Sequence, residues 1–362
     1  MSKAIRHHYV PCVLLSRFGC GEGRDAVVWV WDKATGRVWD STVEQVAFQN
    51  DLYTLPQEAL DAFDEPDWYP SRYRGAQGLE AVFADMEGLF GQLLQATKQR
   101  LALPTEGTPE LDFYLRMLTL LEQRTPANIE ANRQLAELVY NISALVEANR
   151  AGASPEPRHH PGLVLPFDEN KHILLAQSMT HWDEIVAAQR SRRWSLWYSG
   201  DAEFVVSDCP VCRSFARRPE NPLDGPAPGT RHTLFTLPLG HDLVMMGDNV
   251  LPAGTRIATQ KLVAYCNGLA VQNAERFIYT RSEAFKILWY ESPGYAFKVI
   301  NSDDSAALTI DARSFERLVK DGTLKSPRRW GMHGGGELQE LVPPENRIST
   351  EEMLREWNLH SS

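Results

Sequence analysis

Between Gly78 and Arg100 the residues Leu79, Val82, Phe83, Met86, Leu89, Phe90, Leu93 and Leu94 are apolar at spacings of three and four, and strand-patterned stretches flank this run on both sides. Such spacing lines one face of a helix, so the fold must accommodate a helical block in mid-chain. Pro109 to Gln123 repeats the pattern through Leu111, Tyr114, Leu115, Leu118 and Leu121, with Thr108 placed as N-cap and Pro109 at the first helical position. Pro126 stops or restarts the helix. A third helix is expected over 127–150 and a fourth from His172 to Arg190, separated by the Pro-, Gly- and His-rich segment 151–162.

Before the block, the β-branched and aromatic run Ala26 to Trp31 is followed by the turn sequence 32–37 and a second extended stretch from Val38 to Asp40, which predicts a hairpin. The Pro- and aromatic-rich stretch 64–75 has no period and reads as a connection. After the block, Trp194 to Tyr198 and Phe204 to Ser207 flank a turn and predict a second hairpin. Thr233 to Pro238 with Asp242 to Met246 predict a third. Arg213 to Thr230 reads as a long Pro/Gly loop, Thr255 to Arg276 as a helix, and Phe277 to Thr280 as a strand. From Pro293 onward the pattern is weak, and 327–336 reads as a locally basic tail element.

These elements describe an α+β fold: a central helical bundle inserted in a discontinuous mixed β-sheet built from N- and C-terminal segments. The segments divide at 1–75, 76–192, 193–300 and 301–362. The two β segments are expected to share one sheet, because neither has enough strands for independent stability.

Charge limits the partners. The 362 residues carry 37 Lys and Arg against 47 Asp and Glu, a formal net charge of −10, which argues against electrostatic coating of nucleic acid or membrane. Basic clusters at Arg190, Arg192 and Arg193 and at Arg213, Arg217 and Arg218 leave a local basic face open. No apolar run approaches the roughly 18 residues of a spanning helix, and the N-terminus lacks the apolar core of a signal peptide. Five sparse cysteines suit reduced thiols. Cytoplasmic localisation without membrane association is the expectation.

Four constellations carry chemistry. In Arg6-His7-His8-Tyr9-Val10-Pro11 the adjacent histidines of an extended segment point to opposite faces, so one of them enters a given pocket. Imidazole there serves as acid or base, as metal ligand or as phosphate donor, or simply as a satisfied core side chain. In Phe204-Val205-Val206-Ser207-Asp208-Cys209-Pro210-Val211 a strand ends in a hydroxyl and a carboxylate. Asp208 there either projects into a site or caps its own turn. Cys209 and Cys212 form a CxxC without a second ligand pair at zinc spacing and without a following helix, so neither zinc nor redox chemistry fits well. Arg124, in Arg124-Thr125-Pro126, either complements a helix C-terminus or reaches a carboxylate or phosphate. P-loop, dinucleotide, zincin and α/β-hydrolase signatures are absent.

The order of these pieces resembles the bacterial family DUF4238, a domain of unknown function. The likeness rests on His7-His8-Tyr9-Val10-Pro11 followed by Phe18, on 29–36, on Tyr53-Thr54, on Arg124-Thr125-Pro126, on Phe204 to Val211, on Leu237 to Leu239, and on Asn267 through Tyr279. It covers about residues 6–281. Cys12 stands where the family usually has Gln, and Cys209 where it usually has Asn. The family name implies no activity.

The marked residues His7, His8, Arg124, Asp208 and Asn267 come from distant parts of the chain, the ingredients of a site built where segments meet. The leading expectation is a hydrolase acting on phosphodiesters or nucleotides, such as a nuclease effector of a bacterial defence or toxin system, with nucleic acid or nucleotide as substrate. In it His7 or His8 is the general base or a metal ligand, Asp208 orients that histidine or shares the metal, and Arg124 stabilises phosphate charge. Asn267 and Arg213 bind substrate, and a divalent metal stays open as cofactor. The alternative is a non-catalytic recognition or sensor protein in which the same residues form a structural polar network.

Overall fold

The computed structural model describes residues 5–55, 75–133, 181–215, 226–230, 233–249, 251, 253–287, 308–322 and 324. In chain order the elements are β1 (Arg6–His8), α1 (Cys12–Leu15), β2 (Val27–Asp32), β3 (Val38–Thr42), β4 (Phe48–Asn50), α2 (Gly78–Arg100), α3 (Pro109–Gln123) and α4 (Trp182–Arg190). They continue with β5 (Arg193–Tyr198), β6 (Val206–Ser207), β7 (Cys212–Phe215), β8 (Thr233–Gly240), β9 (Leu243–Asp248), β10 (Gly254–Ile257), α5 (Gln260–Asn273), β11 (Phe277–Thr280), β12 (Ala284–Ile287), β13 (Leu308–Asp311) and α6 (Ala312–Lys320). The expected connection at 64–74, the third helix beyond 133, the fourth helix before 181 and the tail at 327–336 lie outside the described residues.

The β2–β3 hairpin forms as its sequence predicts, with Val28 opposite Ser41 and Val30 opposite Trp39. Asp32 shapes its turn by accepting the Ala34 N–H and the Thr35 hydroxyl, both at 2.9 Å. Gly36 completes the turn at φ +74, where a Cβ would stand 3.1 Å from Glu316 Cα on α6. The other edge of β2 pairs antiparallel with β11, and β11 pairs with β6. One sheet, in the order β3-β2-β11-β6, therefore draws on residues from both sides of the helical block. Trp31 fastens it, its indole N–H reaching the Thr280 hydroxyl at 2.8 Å while its ring meets Phe285 and Phe315 edge-on.

A second sheet runs β10-β5-β9-β8-β7, antiparallel except for the β10–β5 pair. Every residue of β8 and β9 is buried, which places this hairpin at the centre of the molecule. The helices begin as their capping residues dictate: Thr108 accepts the Leu111 N–H at the start of α3, and Thr259 accepts the Leu262 N–H at the start of α5. The chain leaves the helix at Arg124 and Thr125 and is helical again over 126–133. α2 packs on α1 and α3, and α3 on α4.

Three expectations are corrected. Trp194–Tyr198 and Phe204–Ser207 do not pair with each other: β5 joins β9 and β10, while β6 joins β11 in the other sheet. The Phe204 and Val205 amides are drawn to His241 O and Asn267 Oδ1, which turns the chain towards the second partner. The helix expected from Thr255 begins at Gln260, because Gly254 to Ile257 is an exposed edge strand. The loop expected from Arg213 is a strand, β7, as far as Phe215.

Gly247 illustrates how tightly the second sheet is filled, since a Cβ there would stand 2.4 Å from the Trp194 ring. That ring is held by its N–H on Gln189 O at 3.1 Å and by Phe235. Gly247→Ala is expected to cost about 1–3 kcal/mol through overpacking, read as a lowered midpoint in urea.

Candidate functional site

The site forms where β1 lies against α2 and the end of α3. Strand alternation in β1 turns His7 into the core and leaves His8 half-buried on the other side. His7 Nδ1 accepts the Tyr53 N–H at 2.8 Å, so Nε2 carries the proton and donates it to Gln77 Oε1 at 2.9 Å. The imidazole stacks on the Tyr53 ring, and burial lowers its pKa. Both nitrogens thus serve the fold.

His8 is differently placed. Its Nε2–H donates to Glu44 O at 3.3 Å, which leaves the lone pair on Nδ1. Burial lowers its pKa, countered by the Glu44 backbone and by the nearby charge of Glu87. His8 is therefore a neutral base at physiological pH.

Arg124 follows the last turn of α3 and is fully buried. Its Nη1 donates to Glu87 Oε1 at 2.6 Å, its Nη2 to the His8 carbonyl, and its Nε to the Tyr53 hydroxyl at 3.3 Å. The Tyr53 hydroxyl in turn donates to Arg124 O at 2.9 Å. The guanidinium lies over the Phe83 and Tyr53 rings. Burial opposes its charge, but Tyr53 and Glu87 hold it protonated. Arg124 thus fixes the backbone of β1 and the carboxylate of α2 in one arrangement.

Glu80 and Glu87 were missed from the sequence. They stand seven residues apart on α2, two turns along one face. The legible signal was Glu87, which interrupts the otherwise buried stripe of Phe83, Phe90 and Leu94. Burial pushes the Glu80 carboxyl up to about 7, with Arg124 pulling it down and Glu87 adding to the rise. Its Oε2 is buried and has no hydrogen-bond partner among the described residues. Cys12, at the same site, stays a thiol because burial pushes it up to about 11. Arg24 stands exposed at the rim, 3.6 Å from Glu44.

The other expected site residues lie elsewhere. Asp208 makes no hydrogen bond to either histidine. Its Oδ1 accepts the Glu275 N–H at 2.8 Å, and its Oδ2 accepts those of Arg276 and Phe277 at 2.7 and 2.8 Å. The expected Asp–His pairing is thereby corrected: Asp208 clamps the turn from α5 into β11. Burial pushes its carboxyl up to about 6 against these bonds and against Lys33. Asn267 accepts the Val205 N–H and donates to Glu203 O and Lys286 O, all within 2.9 Å, so its amide joins three backbone segments. Arg213 ion-pairs with Glu122 at 2.6 Å, between β7 and α3.

The two basic clusters are partly engaged within the protein. Arg190 is bound to Asp112 through two nitrogens, at 2.7 and 2.6 Å. Arg192 is buried on the carbonyls of Thr233, Ala188 and Thr230, and Arg217 and Arg218 lie outside the described residues. Cys209 and Cys212 form no disulfide. Among the described residues, no group of three His, Cys, Asp or Glu side chains is arranged to hold a metal ion, and no helix is long and apolar enough to cross a membrane.

Comparison with known proteins returns one family, described as "Protein of unknown function (DUF4238)", matched over residues 6–284. No curated protein and no solved structure matches the chain. The match takes in the whole of the site.

Proposed function

The chain belongs to the DUF4238 family, and from that premise, which brings no activity with it, we propose that it is a hydrolase of phosphodiester or nucleotide phosphate bonds centred on His8 and Glu80. The observation that carries this reading is the Glu80 carboxyl. Its Oε2 is buried and without a hydrogen-bond partner among the described residues, and the carboxyl is pushed up to about 7 beside Arg124 and Glu87. A carboxyl half-protonated near neutral pH and a neutral imidazole, both under the influence of Arg124 and Glu87, supply an acid and a base. His8 Nδ1 takes a proton from the attacking water, the water oxygen forms the new P–O bond, and Glu80 protonates the departing oxygen. Arg124 holds His8 and Glu87 in place, and Arg24 at the rim meets the incoming phosphate. With the clustered arginines 190 and 192 engaged internally, a nucleotide or short phosphodiester suits the site better than a long polyanion. This reading includes a cytoplasmic location and a place among bacterial defence or toxin effectors.

The test uses the purified full chain on RNA, DNA and nucleotides, with and without Mg²⁺ or Mn²⁺. Glu80→Gln and His8→Asn are each expected to lower kcat by about 10²–10⁴-fold. An inactive wild type on every substrate, or undiminished turnover by Glu80→Gln, would sink the idea.

Stability supplies an independent readout of Glu80. Because its pKa rises from 4.5 to about 7 on folding, the folded chain retains a proton between those pH values that the unfolded chain has released. Its stabilising contribution is full below pH 4.5 and is lost as pH rises to 7. Glu80→Gln is therefore expected to be more stable than wild type above pH 7, by ~1–3 kcal/mol. Equal stability at pH 8 would contradict the assignment.

A second reading has its own observation. His7, Asp208 and Asn267 use their polar atoms on neighbouring backbone and side chains, as a non-catalytic recognition protein with a structural polar network requires. Large losses of stability on mutating these three residues fit both readings, and a hydrolytic activity that survives them favours the first. Complete inactivity of the wild type favours the second.

A further inference from the structure

A cavity of about 530 Å³ opens between the end of β5 and the β12–β13 strand pair, lined by Tyr198, Glu203, His241, Arg281, Phe285 and Thr309 among others. It shares none of its residues with the site around His8. Three backbone hydrogen bonds preform its walls: Ser199 N–H to Asp242 O at 2.9 Å, Phe204 N–H to His241 O at 2.7 Å, and His241 N–H to Arg17 O at 3.1 Å. His241 Nδ1 donates to the same Arg17 carbonyl at 2.9 Å, so the ring is fixed with its lone pair on Nε2. Arg281 Nη1 lies 3.1 Å from that Nε2, and its Nε 3.8 Å from Glu203 Oε1. Glu203 accepts the Ser282 hydroxyl through Oε2 at 2.6 Å.

Two features give the cavity its chemistry. Lys98, Arg17 and Arg281 crowd together, and after burial it is the charges of Arg17 and Arg281 that disfavour the Lys98 proton. Asp242 pairs with Lys98, while the Arg281 side chain, 39% exposed, lies between His241 at 3.1 Å and Glu203 at 3.8 Å. Among the lining side chains, which also include the carboxylates of Asp201, Glu203 and Asp242, Arg281 is the one suited to a phosphate, which a guanidinium binds through paired N–H donors. On the same wall, Glu203 Oε1 and the exposed Asp201 are acceptors with no anion-binding use, suited to hydroxyl donors. The volume lies within the range of small-ligand sites, about 300–1,000 Å³. One wall, carrying Phe285, Lys286 and Thr309 on β12 and β13, lies past residue 284, where the family match ends. The site is therefore completed by residues outside that match.

We propose that this cavity binds a phosphorylated polyol, a sugar phosphate or the ribose phosphate of a nucleotide, with Arg281 on the phosphate and Glu203 on the hydroxyls. Calorimetric titration of the full chain with ribose 5-phosphate, AMP, inorganic phosphate and ribose tests it. Saturable binding of ribose 5-phosphate or AMP is expected, tighter than that of phosphate or ribose alone. The stronger of the two identifies whether the source is a sugar phosphate or a nucleotide. Arg281→Ala is expected to weaken that binding about tenfold or more, and Glu203→Gln to weaken ribose 5-phosphate without weakening phosphate. Arg256→Ala, on the exposed strand β10, serves as the unaffected control. The proposal is overturned by the absence of saturable binding at millimolar concentration, by phosphate alone binding as well as ribose 5-phosphate, or by unchanged affinity in Arg281→Ala. The outcome is independent of hydrolysis, because none of these residues belongs to the site around Glu80.

Discussion

Asp208→Ala lowers the unfolding free energy by about 3–5 kcal/mol, because it strips the partner from three backbone donors at once. The N–H groups of Glu275, Arg276 and Phe277 all end on this one carboxylate. They make the turn that brings the chain from α5 into β11, the strand joining β2 to β6. A buried amide left without an acceptor costs roughly 1–3 kcal/mol, and three part-buried ones in one turn together exceed the usual effect of a point substitution. Asp208→Asn should recover only part of the loss, since its NH₂ group would face amide donors. Urea denaturation measures both variants. A cost below about 1 kcal/mol for Asp208→Ala would show that the turn finds other acceptors. Any hydrolytic activity per folded molecule should survive both substitutions, which separates Asp208 from the catalytic role its motif suggested.

Arg124→Met is expected to be as damaging, at about 3–5 kcal/mol, because it leaves the partly buried Glu87 carboxylate without its partner. It also removes the donors to the His8 carbonyl and the Tyr53 hydroxyl, so the strand carrying the candidate base loses its anchor. Arg124→Lys cannot replace three divergent donors with one ammonium and should lose nearly as much. The double variant Arg124→Met/Glu87→Gln removes the stranded charge, and a recovery of about 1–3 kcal/mol relative to the single variant would measure the coupling. If instead the double variant were additive, the ion pair would not be the reason for burying this arginine.

These two residues show how the sequence could point to a position without disclosing its role. The motif around Asp208 is legible as a strand ending in a carboxylate, and two readings, a site residue or a turn cap, follow from residue type alone. The structure decides for a cap, though not of Asp208's own turn: the three amides it holds lie about seventy residues away. Arg124 reads equally as a helix-end cation or an anion binder, and it proves to bind an anion within the protein. Glu80 carries no motif at all. Its significance comes from burial beside Arg124 and Glu87, and burial of a single helix face is set by what packs on it. The pairing of strands failed to read out for the same reason. β5 and β6 are consecutive and separated by a turn-like sequence, yet their edge groups find partners in different sheets.

What the amino-acid sequence settled by itself is local: the positions of α2 and α3, the Thr108 cap, the break at Pro126, the β2–β3 and β8–β9 hairpins, and the alternation that sends His7 and His8 to opposite sides. Each of these follows from periodicities and hydrogen bonds closed within a few residues, so the neighbouring sequence suffices to specify it. The tertiary structure alone decided that Asp208 and Asn267 bind backbone, that Arg124 joins β1 to α2, and that Glu80 keeps its proton near neutrality. Those properties depend on desolvation and on partners tens to hundreds of residues distant, and a carboxylate or guanidinium takes its character from the surroundings that packing supplies.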